Sequence, residues 1–222
     1  MRVFANPEAL AQALAEAVAS ALRARIARDG VAALAVSGGT TPLRFFDVLS
    51  NEDLDWSAVS ITLVDDRWVA ESSPRSNAGL VRRHLLKNHA SAARFLPMVT
   101  DAPTPEEGRA LVNDMVAALA LPFAAVVLGM GTDGHTASLF PGGDRLAQAL
   151  APGPGVWVET MRAEAAVEPR ITLTLPLLLA ADYVALHIEG ETKRRVLETS
   201  TTAMPVSSVL KRQPAPDIFW SP

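Results

Sequence analysis

The loop Gly129-Met130-Gly131-Thr132-Asp133-Gly134-His135 places an imidazole two positions from a carboxylate, among three glycines. Imidazole has an unperturbed pKa of about 6.5, which makes histidine the side chain most easily tuned to act as a base near neutrality. A neighbouring carboxylate orients the ring and stabilises its protonated form. Taken alone, an isolated histidine such as His135 reads first as a cap for the helix that follows or a partner for a loop carbonyl. The other histidines, His84, His89 and His187, fall within ordinary helix or strand patterns and read as structural.

Two further segments carry chemistry. Ser37-Gly38-Gly39-Thr40-Thr41-Pro42 offers glycine backbone that a ligand can approach closely, with hydroxyls and helix-start N–H groups beside it. A phosphate suits that geometry, and so does a plain structural turn. The segment lacks the Gly-Lys-Ser/Thr element of a Walker loop and is not G-x-G-x-x-G. Asp65-Asp66-Arg67-Trp68 sets two carboxylates and a guanidinium directly after an apolar run, a costly placement at a sheet edge unless they are used. A solvated loop with a local ion pair is the other reading. Arg170 opens a strand and Lys193 lies in the first turn of a helix; singly, each reads as a surface charge.

The elements that must position these residues follow from the hydrophobic pattern. Asn6-Pro7 is an N-cap followed by proline at the first helical position, and residues 8–28 repeat apolar positions at helical spacing until Asp29-Gly30. Residues 31–36 form a wholly apolar run, as expected of a strand covered on both faces. Further strands are predicted over 59–64, 123–128, 155–160, 170–175, 183–188 and 217–220, and helices over 43–49, 76–89, 104–119 and 191–199, with 65–75 a polar loop. Alternating buried strands and helices predict a Rossmann-like α/β fold: one mostly parallel sheet with helices on both faces, in a single domain spanning 1–222. In such sheets ligands bind outside the carboxyl ends of the strands, and all three chemical segments follow predicted strands.

Composition narrows the function classes. Nearly half of the 222 residues are hydrophobic, enough for a core without staples. With no cysteine, disulfides and thiolate zinc sites are excluded. The formal charge of −4 comes without a Lys/Arg cluster, which disfavours a nucleic-acid partner. No segment approaches the roughly 20 uncharged apolar residues of a membrane span. Met1 to Ala5 lacks the apolar core of a signal peptide, so a cytoplasmic protein is expected.

Together these segments resemble the glucosamine-6-phosphate isomerase/6-phosphogluconolactonase family, and within it the lactonase branch. The resemblance runs nearly end to end through SGGTTP (37–42), VDDRWV (64–69), SPRSNAGLVRRHLL (73–86), LGMGTDGHTASLFPG (128–142), RITLTLPLL (170–178) and EGETKRRVLE (189–198). It implies a sugar-phosphate lactone as substrate and hydrolysis without metal or organic cofactor. By the same resemblance Ser37, Gly38, Gly39, Thr40 and Thr41, with Arg170 and Lys193, hold the phosphate. His135 is the base that activates water, Asp133 stands beside it, Arg67 matches the family's active-site arginine, and Asp65 with Asp66 its acidic pair. The oxyanion falls to Arg67 or to a glycine N–H of the 129–134 loop.

Two rivals are weaker. The deaminase branch carries a glutamate five positions after the loop histidine, where this chain has Phe140, which cannot transfer a proton. A non-catalytic sugar-phosphate sensor would be expected to carry a DNA-binding segment, and the residues before Val31 offer one helix and no helix-turn-helix.

Overall fold

Asn6 begins the first helix by accepting a hydrogen bond from the Ala9 N–H at 2.8 Å, and Pro7 occupies the first turn. Gly30, at φ 78°, ends it by donating to the Ile26 carbonyl at 2.8 Å. Leu10, Leu14, Val18 and Leu22 form one fully buried stripe, each worth roughly 1.5–3 kcal/mol of transfer free energy.

The computed structural model describes residues 1–201 and 204–222. In chain order it contains β1 (Arg2–Val3), α1 (Pro7–Asp29), β2 (Ala32–Val36), α2 (Leu43–Leu49), β3 (Val59–Leu63), β4 (Asp65–Arg67), α3 (Asn77–His84), β5 (Arg94–Leu96), α4 (Pro105–Ala117) and β6 (Ala125–Leu128). Then follow α5 (Leu146–Leu150), β7 (Val158–Met161), β8 (Arg170–Leu173), α6 (Leu175–Leu179), β9 (Tyr183–Glu189), α7 (Glu191–Glu198), α8 (Val206–Leu210) and β10 (Asp217–Ser221).

The main sheet has seven strands in the order β1-β10-β9-β6-β2-β3-β5, and every pairing in it is parallel. All five residues of β2 are buried, so both faces of the sheet are covered there. The chain runs outward from β2 through β3 to β5, then returns to β6 on the other side of β2. The strand order therefore reverses between β2 and β6, and a crevice opens at their carboxyl ends.

The expected parallel α/β fold stands, with corrections in detail. β7 and β8 do not extend the parallel sheet. They pair antiparallel with each other, and β8 pairs antiparallel with β4, making a second sheet of order β4-β8-β7. Residues 65–67, expected in a polar loop, are thus a strand. Their polarity hid them, because one face of the strand looks into a polar cavity. The helix predicted over 76–89 ends at His84, and a 3-10 turn follows at Asn88–Ala92. The strand predicted over 170–175 stops at Leu173, and that over 155–160 begins at Val158. β1, β5, α5, α6 and α8 had no signal, being two to five residues long. No helix among the described residues is long and apolar enough to cross a membrane.

Candidate active site

The loops after β2 and β6 meet because their strands are neighbours. The Ser37 N–H donates to Val127 O at 3.0 Å; its Oγ donates to the same carbonyl at 3.0 Å and accepts from the Gly129 N–H at 2.8 Å. The hydroxyl of Ser37 therefore clamps the two loops together, and its proton is committed to Val127. Gly39 adopts φ 87°, which favours glycine, and turns the loop toward α2. At Gly38 a side chain would occupy the space of the Asn77 carboxamide.

Strand alternation sorts the acidic pair. Asp65 and Arg67 share one face of β4 and line the cavity, while Asp66 points the other way and is fully buried. Its carboxylate accepts from the N–H groups of Arg67 (2.8 Å), Asn77 (2.8 Å) and Ala78 (3.0 Å), holding the start of α3. Burial nevertheless outweighs those donors and pushes the Asp66 pKa up to about 6. Asp65 accepts from Ser138 Oγ at 2.5 Å. Asn77, fixed by this helix start, donates to Asp65 O at 3.0 Å and accepts from Arg67 Nη1 at 2.9 Å.

Arg67 stands directly opposite Arg170 across the β4–β8 ladder. Like charges facing each other across a strand pair are destabilising unless something neutralises them. Nε of each is buried and has no partner among the described residues. Arg170 is 7% exposed, and burial lowers its pKa against the favourable charge of Asp65. Lys193, at the third position of α7, reaches Thr41 Oγ1 at 3.4 Å; burial lowers its pKa, while the Glu189 charge opposes the shift. These cations and the Ser37–Pro42 loop frame one cavity of about 320 Å³, within the roughly 300–1,000 Å³ of small-molecule sites.

His135 lines the same cavity with its side chain 30% exposed. Its Nδ1 lies 2.6 Å from Asp133 Oδ1, and the same oxygen accepts the His135 N–H at 3.1 Å. A carboxylate only accepts, so Nδ1 carries the hydrogen and Nε2 is left as the basic nitrogen. Phe140 packs on the ring with centroids 4.4 Å apart, and the Arg170 guanidinium lies 5.5 Å from the Phe140 centroid. Gly131 is required here: a Cβ would collide with both the His135 ring and the Asp133 carboxylate. The N–H groups of Gly129, Gly131 and Gly134 donate to Ser37 Oγ, His135 O and Gly131 O respectively. All three glycine donors of this loop are thus engaged within the protein.

The structure gathers Ser37, Gly38, Gly39, Thr40, Thr41, Asp65, Arg67, His135, Arg170 and Lys193 around one cavity, with Asp133 behind His135. Asp66 serves the fold and not the cavity. Arg170 is buried, contrary to its reading as a surface charge. Asn77 and His187 also line the cavity and were missed, the first as an ordinary helix start, the second as an ordinary strand residue. The only sequence signal for His187 was a histidine near a strand's carboxyl end.

Residues 5–220 match the family model described as glucosamine-6-phosphate isomerases/6-phosphogluconolactonase. The chain is similar to a 6-phosphogluconolactonase of Rhizobium meliloti, 49% identical over 228 residues, covering 100% of this chain and 98% of that protein. It is 47% identical to one of Mesorhizobium japonicum over 223 residues, covering 99% and 94%. The crystal structure of a 6-phosphogluconolactonase from Shewanella baltica superposes with a TM-score of 0.96 at 40% identity, covering 100% of this chain and 97% of that one.

Proposed function

This chain belongs to the glucosamine-6-phosphate isomerase/6-phosphogluconolactonase family, and from that premise we propose that it hydrolyses 6-phospho-D-glucono-1,5-lactone to 6-phospho-D-gluconate, a step of the oxidative pentose phosphate pathway. The observation that carries the reading is one cavity holding both a carboxylate-oriented imidazole and a set of cations with free donors.

Water attacks the lactone carbonyl while Nε2 of His135 takes its proton. Asp133 keeps the opposite nitrogen protonated and stabilises the imidazolium that forms. Negative charge develops on the carbonyl oxygen. With the Gly129, Gly131 and Gly134 N–H groups already engaged, Arg67 is the better-supported donor, worth roughly 3–4 kcal/mol if well aimed. Collapse breaks the bond from the carbonyl carbon to the ring oxygen, which takes the proton back from His135. At the far end Arg170, Lys193 and the Ser37–Thr41 backbone hold the phosphate, each charge-assisted bond contributing roughly 1.5–3 kcal/mol. That remote anchor orients the ring for attack. Asp65, held by Ser138, is an acceptor for a sugar hydroxyl.

At residue 140, where the deaminase branch has its glutamate, a phenylalanine covers the His135 ring, so no second proton carrier stands there. The deciding experiment is hydrolysis of freshly generated 6-phosphoglucono-δ-lactone, corrected for spontaneous opening. Catalysed opening well above background is expected. Background rates together with a thermal shift on 6-phosphogluconate would instead indicate a binding protein.

A further inference from the structure

His187 lies on β9, opposite Phe219 of β10, with its ring edge-on to Phe45 of α2 at 6.4 Å between centroids. It is 3% exposed, and its Nε2 sits 3.1 Å from Glu189 Oε1. The carboxylate accepts, so Nε2 carries the hydrogen; the enclosed Nδ1, without a partner among the described residues, is a bare acceptor. Glu189 is the last residue of β9. Gly190, at φ 86°, then turns the chain into α7, where Lys193 follows three residues later.

A carboxylate and an ammonium this close in sequence would ordinarily close into an ion pair. Here they do not: among the described residues Glu189 bonds to His187, and the Lys193 ammonium reaches only the Thr41 hydroxyl. The two still sense each other. The Glu189 charge opposes the lowering of Lys193 by burial. Glu189 is itself held low chiefly by the His187 hydrogen bond, with smaller contributions from Arg44 and Lys193. Arg44 is engaged elsewhere, with Glu8 at 2.7 Å.

We propose that His187 is a positioning residue that keeps the Glu189 carboxylate off the Lys193 ammonium, leaving that ammonium to the phosphate end of the substrate. The inference rests on the reading of Lys193 as a phosphate ligand. Its physical basis is competition. A tethered carboxylate has a high effective concentration against the same donors that an incoming dianion needs. The hydrogen bond to His187 removes that competitor without removing the charge that opposes the lowering of Lys193 by burial.

The test compares kcat/KM for 6-phosphogluconolactone with that for unphosphorylated gluconolactone. His187→Ala should lower the ratio about tenfold, through a raised KM for the phosphorylated substrate. His187→Gln, which retains an N–H donor, should recover most of it. Glu189→Gln in the His187→Ala background should also recover it, because the competing charge is gone. Equal losses on both substrates, an unchanged ratio, or no recovery in the double variant would each overturn the proposal. Where the alanine variant does not fold, His187→Phe fills the ring's space without a donor and carries the same expectation. Lys193→Ala separates the two readings: if it leaves the ratio untouched, the phosphate assignment itself fails. A fall with Lys193→Ala but none with the His187 variants refutes His187 alone.

Discussion

One imidazole is fixed on two sides: Asp133 takes Nδ1 of His135 at 2.6 Å, and Phe140 covers the ring. Because Nε2 is read as the water-activating base, His135→Ala should lower kcat by about 10²-fold or more with the fold intact by circular dichroism. Near-normal turnover would reject the role. Gly131→Ala is the sharper probe, since its Cβ would displace the His135–Asp133 pair while leaving both functional groups in the protein. Misplacement by about 1 Å can cost about 10²-fold, so a large fall in kcat with little change in KM is expected. Lys193→Ala should act on the other parameter, raising KM for the phosphorylated lactone about tenfold or more. Steady-state kinetics on both variants distinguish the two effects.

The start of α3 is the element on which the arginine side of the cavity depends. Asp66 accepts three backbone N–H groups there, and Asn77, fixed by that turn, bonds Arg67 and Asp65 O. Asp66→Asn would put an amide where only acceptors fit, so reduced thermal stability and reduced turnover should appear together. The pH dependence has a definite sign. The Asp66 pKa is raised by burial from 3.8 to about 6, so between those values the folded chain binds more protons than the unfolded one. Its contribution to stability is therefore greatest at the acid end and falls as pH rises through that window, by up to about 1.4 kcal/mol per unit. Denaturant melts across that window should show the fall in the native chain relative to Asp66→Asn. A difference that grows with pH would contradict it.

At the scale of the molecule, the cavity is walled by residues of both sheets, so a ligand there ties the β4-β8-β7 sheet to the parallel one. Saturating 6-phosphogluconate should raise the melting temperature, with about 2.7 kcal/mol expected at one hundred times its Kd. Lys193→Ala should shrink that shift, and an unchanged shift in the variant would remove Lys193 from the binding site.

The sequence alone determined the parallel α/β class, the positions of β2, β3, β6 and β9, and the loops that follow them. Apolar runs and helix caps are local signals, and binding loops at strand ends follow from sheet geometry. The chemical types at Ser37–Thr41, Asp65, Arg67 and Asp133–His135 were legible because glycines, carboxylates and cations interrupt apolar patterns. Only the tertiary structure decided that β7 and β8 leave the parallel sheet, that Arg170 is buried opposite Arg67, and that Asp66 turns inward. It also decided that Asn77 and His187 join the wall of the cavity. These facts depend on which segments pair and pack, from β7 with its near neighbour β8 to β4 with β8 about a hundred residues away. No pattern along the chain records which partner a polar strand will find.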